Sequence, residues 1–341
     1  MKKYSDSIQE AQILFAEGRV NQALVVLNVA IKESREKEDL LAMARLLGTK
    51  GLIFSEQELF KQAQKSFDEV LEIAGKIGDE GIKADAISNV GLLIAKQGDP
   101  GTYLVKQQEA VAIARTLDDD HRLMVLLGVQ GHAYLQLANF EDAGKSYYEA
   151  LKLAKKLGDQ NIQMGLLNNL GVIFINLDQH ENAISSYQDL IDLAEELDKP
   201  NMVVNAYKQQ VKQLIATIDA EGVIRQSRKA LAFLGQHPQT SEESMLFEDM
   251  LVLGLMSNEN YAEAANILEE NLQSLREVDT ARKMDLLGKL ADAKYALDEL
   301  GTAMDLLEDG LKVSRDLGDC AAEGRMLGRM ASISADQGAL E

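Results

Sequence analysis

The chain is 341 residues long, with 46% hydrophobic residues, 5% aromatic residues and no tryptophan. Its formal net charge of −20 repels phosphate backbones and anionic lipids, which argues against nucleic acid or a membrane as a partner. The acidic surface either suits a basic partner or is a solvated face. The single cysteine excludes an internal disulfide, and the first residues lack the apolar core of a signal peptide, so we expect a cytoplasmic protein without membrane spans.

Small residues return at a fixed period along most of the chain, with a spacing of 40 residues. The landmarks are Gly51, Gly91, Gly131 and Gly171, together with Ala23, Ala63, Ala143 and Ala183. A period of this size is typical of solenoids, in which each unit packs only on its neighbours. Such an array also explains a length above the roughly 250–300 residues that one hydrophobic core supports.

Each period reads as two amphipathic helices joined by a short turn, which predicts an all-α fold. The predicted repeats are residues 4–37, 40–77, 80–117, 120–157, 160–197, 200–236, 240–278 and 280–317, and a capping helix follows at 320–337. A Leu/Ile-Gly-Asp sequence closes repeats 2, 4 and 8 at Gly78, Gly158 and Gly318. We expect each of these glycines to end a helix in the left-handed conformation and the following aspartate to cap the next helix.

Two repeats depart from the pattern. In repeat 3 the turn from Gly98 to Gly101 contains a proline, and Tyr103 replaces the small alanine, so we expect an altered turn. A phosphate-binding loop is the alternative there, but no Lys-Ser/Thr follows the glycines and no strand precedes them. In repeat 6, Val211 and Val223 replace the glycine and alanine landmarks.

Repeat 6 is also basic in an otherwise acidic chain. Residues 201–240 hold five basic and two acidic residues. The five are Lys208, Lys212, Arg225, Arg228 and Lys229. Drift in a degenerate repeat is one explanation of this charge, and a binding site for an acidic ligand is the other.

The landmarks of repeat 4, Gly131, Tyr134, Ala143, Tyr147 and Ala150, resemble the tetratricopeptide repeat family. This resemblance covers nearly the whole chain and is strongest in repeats 2 to 5. It implies a right-handed superhelical solenoid, closed by a C-terminal capping helix. The period is longer than the family's usual 34 residues, and the proline that often ends its second helix is absent. HEAT or armadillo arrays are the alternative fold, but they lack the glycine and alanine landmarks.

The resemblance further implies a non-catalytic scaffold or adaptor that binds a peptide or helix of a partner protein in a concave groove lined by first helices. From the register, Ser88 and a set of ten residues face that groove. The ten are Arg45, Asn89, His132, Gln136, Asn168, Asn169, Asn176, Asn205, Lys208 and Lys212. Lys208 and Lys212 share a helix face, so we hypothesise that they and the nearby asparagines receive an acidic segment or a free carboxylate.

Nothing in the sequence indicates catalysis, a cofactor or a metal. The four histidines are scattered, and none forms a metal-binding motif with cysteine or glutamate. An alternative function is a ligand-responsive regulator that senses a short signalling peptide and switches an effector, although no effector module is recognisable. The partner and the oligomeric state do not follow from the sequence.

Overall fold

The computed structural model of the protein describes residues 2–237, 243–275 and 279–340. In these residues it contains 17 α-helices and no strand. The helices are α1 (Lys2–Ala16), α2 (Val20–Glu36), α3 (Leu40–Glu56), α4 (Phe60–Ile77), α5 (Glu80–Lys96), α6 (Pro100–Ala114), α7 (Asp120–Gln136), α8 (Phe140–Leu157), α9 (Gln160–Asn176), α10 (His180–Glu196), α11 (Pro200–Ala216), α12 (Ala220–Gln236), α13 (Ser244–Ser257), α14 (Tyr261–Ser274), α15 (Thr280–Ala296), α16 (Leu300–Leu317) and α17 (Cys320–Leu340). The predicted ends of repeat 7, residues 240 and 278, lie outside the described residues.

The chain divides into two compact units, an N-terminal unit of residues 1–179 with α1–α9 and a C-terminal unit of residues 180–341 with α10–α17. Within each unit, helices that follow one another in sequence pack together. In the N-terminal unit, the first helices of neighbouring pairs also touch, α1 with α3, α3 with α5 and α5 with α7. None of the described helices combines the length and the low polarity that crossing a membrane requires.

Most helices are followed by a residue in the left-handed backbone conformation, and these residues recur at intervals of 20. This conformation turns the chain into the next helix. Gly78, Gly158 and Gly318 adopt it with φ between +67° and +71°, as the sequence predicts. The aspartate after each glycine accepts a hydrogen bond from the third backbone N–H beyond it, as Asp79 does from Ile82 at 2.9 Å.

The glycine landmarks make room for an aromatic ring of the paired helix. A Cβ atom at Gly131 would lie 2.8 Å from ring atoms of Tyr147, and one at Gly51 would lie 2.5 Å from Phe67. Both rings are almost completely buried. The small residue of the first helix and the large residue of the second are therefore one packing unit.

The pair α5–α6 keeps the glycine but moves the aromatic ring. Gln107 occupies the usual aromatic position, and the fully buried Tyr103 lies one helical turn before it. A Cβ atom at Gly91 would lie 2.6 Å from Gln107 Nε2 and 3.3 Å from Tyr103 Cδ2, so both side chains fill the space together. In this turn Gly98 adopts the left-handed backbone conformation, as Glu58 does in the corresponding turn of the preceding pair. The altered turn predicted from the sequence is therefore not found. The difference lies in the packing.

The pair α11–α12 departs further from the packing of a glycine against an aromatic ring. Val211 and Val223 are buried where the glycine and alanine usually stand, and Ser227 replaces the aromatic residue. The aliphatic side chains thus take the volume of the missing ring. As a result, α11 packs more extensively on α10 than on α12, whereas α7 packs most on its own partner α8.

Candidate peptide-binding face

Within each unit, the exposed sides of the first helices of the pairs are called the first-helix face below. This face comprises the exposed residues of α3, α5, α7 and α9 in the N-terminal unit and of α11, α13 and α15 in the C-terminal unit. Because neighbouring first helices pack more extensively on one another than neighbouring second helices do in the described part of the N-terminal unit, the first helices line the more tightly spaced side there.

The predicted groove residues of the N-terminal unit all lie on first helices but differ in exposure. Three are exposed (Arg45, His132 and Gln136), and three are half-buried (Asn89, Asn168 and Asn169). Asn176 is exposed, but its Nδ2 donates to the carbonyl of Val172 in its own helix at 2.8 Å. Its amide is therefore partly used within the chain.

Two of the residues predicted to face the groove, His132 and Ser88, make contacts within the chain. The Nδ1 atom of His132 lies 3.3 Å from the hydroxyl of Tyr103, which ties α7 to α6. Ser88, which the register places in the groove, is instead buried, and its hydroxyl donates to Gln107 Oε1 at 2.8 Å. The prediction for Ser88 was wrong because the polar residue at position 107 needs a buried partner.

An ion pair that the sequence analysis missed crosses the first-helix face of the N-terminal unit. Arg122 of α7 donates from Nε to Asp85 of α5 at 3.1 Å. The Arg122 guanidinium lies over Gly81, where a Cβ atom would come within 2.6 Å of it. Burial raises the pKa of the Asp85 carboxyl, and this effect outweighs the lowering by Arg122.

In the C-terminal unit, α11 carries the three remaining predicted residues. Asn205 and Lys212 are exposed, and Lys208 is half-buried. Lys208 Nζ already pairs with Glu243 at 3.2 Å, whereas Lys212 forms no ion pair with any described residue. The charge of Lys208 is thus compensated by Glu243, whereas the charge of Lys212 remains available to a ligand.

A cavity of about 390 Å³ opens on the first-helix face between α13 and α15. Its lining residues are Asp249, Met250, Val252, Leu253, Met256, Lys289 and Asp292. The floor is apolar, and Leu253 remains 47% exposed. An exposed apolar side chain at the mouth of a cavity is a typical feature of binding sites.

Charged side chains hold the two walls of this cavity in place. Arg282 of α15 donates to both carboxylate oxygens of Asp249 in α13, at 2.7 and 2.9 Å. The Nζ atom of Lys289 lies 2.8 Å from Oδ2 of Asp285 and 3.4 Å from Oδ1 of Asp249. This network fixes the spacing of α13 and α15 without covering the apolar floor.

A second ion pair resembles the one between Asp85 and Arg122. Arg329 of α17 pairs with Asp292 at the cavity edge at 2.7 Å, and a Cβ atom at Gly288 would lie 2.7 Å from its guanidinium. Burial raises the pKa of Asp292, more than Arg329 lowers it. Sequence reasoning missed this cavity, although α13 is the most apolar helix of the chain and could have drawn attention to it.

No group of three or more histidine, cysteine, aspartate or glutamate residues in the described ranges could hold a metal ion. Cys320 is a free, exposed thiol.

The tetratricopeptide repeat model matches residues 126–157 and 165–197 of this chain. The first segment covers most of the pair α7–α8, and the second covers most of α9 and all of α10. A comparison with curated protein sequences gives no match.

Three solved structures are similar to this chain, and those with TM-scores above 0.5 show a similar fold. The apo form of RapI aligns over 97% of each chain with 10% identity and a TM-score of 0.61. A signal transduction ATPase with numerous domains and a tetratricopeptide repeat sensor, from Pyrococcus horikoshii, aligns over 96% of this chain with 14% identity and a TM-score of 0.53, and this chain spans 55% of that protein. A Rap protein complexed with competence and sporulation factor aligns over 100% of this chain and 99% of the Rap chain, with 14% identity and a TM-score of 0.43.

Proposed function

We propose that this chain, which matches the tetratricopeptide repeat model at residues 126–157 and 165–197, serves as a scaffold that binds a peptide segment of a partner protein on its first-helix face. The cavity between α13 and α15 is the observation that carries this proposal. It combines an apolar floor, a fixed width and half-buried charged side chains, a combination that suits a peptide side chain and its polar backbone.

The neighbouring helix α11 extends the site toward a basic end. α11 touches α13, and Lys208 pairs with Glu243 just before α13 begins. Lys212 and Asn205 are exposed on the same helix, so a bound peptide could place an acidic side chain or its carboxylate near Lys212. The proposed ligand is therefore a peptide with an apolar anchor in the cavity and a negative charge toward α11.

A binding experiment with matched variants tests this proposal. The full chain and its Leu253→Glu variant are used to capture partners from a lysate, and a captured partner is then titrated by calorimetry. We expect Leu253→Glu to weaken binding by at least about tenfold, because it places an unpaired charge against the apolar floor. Lys212→Glu should weaken it less, by about threefold to tenfold, with a salt-dependent effect.

Leu52→Glu is the matched control, since Leu52 holds the corresponding position of α3 and is 41% exposed. Binding that falls with Leu253→Glu but not with Leu52→Glu supports a site in the C-terminal unit. If both variants bind the partner as tightly as the wild-type chain, the proposed site is wrong.

A regulator that senses a short peptide is the second candidate function. It is supported by the fold shared with the Pyrococcus horikoshii protein, which is described as having a tetratricopeptide repeat sensor. Small-angle scattering distinguishes the two functions. A sensor becomes more compact when the peptide binds, whereas a scaffold keeps the same radius of gyration.

A further inference from the structure

A second cleft lies away from the first-helix face, in the C-terminal unit. It has a volume of about 420 Å³ and is formed by the end of α10, by α11 and by the end of α12. This volume lies within the range of small-molecule sites, roughly 300–1,000 Å³. Because the chain is a repeat protein, the same place can be inspected in earlier repeats.

In the N-terminal unit an ion pair joins second helices at this place. Arg35 at the end of α2 lies 2.7 Å from Glu69 of α4. Two repeats later, Arg115 after α6 donates to both carboxylate oxygens of Glu149 in α8, at 2.6 and 2.7 Å. The arginine comes first in the sequence and the glutamate comes 34 residues later in both pairs.

At the corresponding positions of the C-terminal unit, an acidic residue replaces the arginine and a basic residue replaces the glutamate. No ion pair forms between them. Glu195 stands at the arginine position and Lys229 at the glutamate position, and both line the cleft. Neither residue forms an ion pair with another described residue. Glu195 instead accepts a hydrogen bond from the hydroxyl of Tyr207 at 3.4 Å.

Three aliphatic positions around the cleft are also replaced, all by ring-bearing side chains. Tyr207, Phe233 and His237 line the cleft, and the rings of Phe233 and His237 stack with centroids 4.0 Å apart. His237 Nδ1 lies 2.9 Å from the carbonyl of Phe233, which fixes the stack. Two repeats earlier the same positions are Leu127, Leu153 and Leu157. Five departures from the repeat pattern thus meet at one cleft.

The charges around the cleft define the ligand. Lys199 and Lys229 provide two ammonium groups, while Glu195 and Asp198 provide two carboxylates. A ligand with charge of one sign would be repelled by half of these groups, whereas a zwitterion with separated charges matches both halves. The flat wall formed by Phe233 and His237 suits an aromatic body between the two charges.

We infer that this cleft is a binding site for a short zwitterionic ligand with an aromatic side chain, of the size of a dipeptide with free termini. Its ammonium group would lie with Glu195 and Asp198, and its carboxylate with Lys199 and Lys229. The site is separate from the proposed peptide-binding face, so either can fail without the other.

Tryptophan-containing dipeptides with free termini are the probes. The chain contains no tryptophan, so the fluorescence of the probe is read by exciting the indole selectively over the tyrosines of the chain. We expect saturable binding to the full chain by at least one member of the series. Acetylating the amino terminus and amidating the carboxyl terminus should abolish it. No binding by any dipeptide, or equal binding of the capped forms, overturns the inference.

A charge swap locates the site. Glu195→Arg combined with Lys229→Glu restores the order of the Arg35–Glu69 pair and should close the cleft with an ion pair, lowering affinity by at least about tenfold. The matched control, Arg115→Glu combined with Glu149→Arg, reverses a closed pair and should change affinity by less than about twofold. Lys229→Gln is a milder second variant, and circular dichroism confirms the fold of each. Unchanged affinity in both cleft variants overturns the inference.

Discussion

Two kinds of helix pair in this chain fill the same space differently. In α7–α8, the ring of Tyr147 covers Gly131 directly. In α11–α12, Val211 and Val223 replace the two small residues, and Ser227 replaces the ring. The pair α5–α6 is intermediate, since it keeps the glycine but shifts the ring to Tyr103. The volume between two helices is thus conserved while its source in the sequence changes.

The departure in α11–α12 coincides with a change on the protein surface. Around the end of α12, the usual ion pair and aliphatic contacts are replaced by Glu195, Lys229 and ring-bearing side chains. A repeat that no longer uses the common packing unit is free to differ on its outside as well. This teaches that degenerate repeats are the first place to search for a specific site in a solenoid.

The largest expected effect tests the shifted ring of α5–α6. Tyr103→Ala should destabilise the chain by about 3–5 kcal/mol, because it leaves a cavity over Gly91 in a fully buried place. Thermal unfolding followed by circular dichroism measures the change. Adding Gln107→Tyr recreates the arrangement of Ala143 and Tyr147 and should recover more than half of the loss. A double variant as unstable as Tyr103→Ala would show that α5–α6 does not accept the common packing.

A smaller effect tests the common packing in α7–α8. Gly131→Val should cost about 1–3 kcal/mol, because the new side chain collides with the ring of Tyr147. Adding Ala143→Val and Tyr147→Ser imitates Val211, Val223 and Ser227, so part of the stability should return. Denaturant unfolding of the single and triple variants measures both values. If the triple variant is the less stable of the two, the three positions do not form one unit.

The smallest effect concerns the turns that end the first helices of the same two pairs. Ile218 is β-branched, left-handed with φ +59° and 85% exposed, and it corresponds to Ala138 with φ +53°. Ile218→Gly should stabilise the chain by about 1 kcal/mol, since the strain of a branched left-handed residue disappears. Ala138→Gly is the control and should gain less. Equal gains in the melting temperature would mean that branching adds no strain.

Much of the fold could be predicted because its determinants are local. The 40-residue period, the left-handed Gly78, Gly158 and Gly318, and the aspartate caps depend on neighbouring residues alone. The role of Tyr103 could not be predicted in this way. Its replacement of alanine indicated an altered turn, whereas the structure shows that its ring and Gln107 of the same helix together fill the space over Gly91 of α5.

The candidate site was less predictable, because it depends on contacts between distant residues. Arg45, His132 and Lys212 are exposed, and their role in a groove stays a prediction. The register could not show that Lys208 pairs with Glu243 or that Ser88 bonds to Gln107. The cavity beside Leu253 needs the spacing of α13 and α15, which Arg282 and Asp249 set. The reversed pair of Glu195 and Lys229 was visible in the sequence only through comparison of charges between repeats.

The regular interval of the left-handed residues has a consequence for how such a chain can change its length. Because Gly78, Ala138 and Ile218 share one backbone conformation despite different side chains, the helix that precedes each turn meets the next at an equivalent junction. Duplication or loss of one whole period joins two junctions of the same kind and leaves every other helix in register. We therefore expect an insertion or deletion of 40 codons to preserve the array, whereas one that is not a whole period shifts the helices out of register.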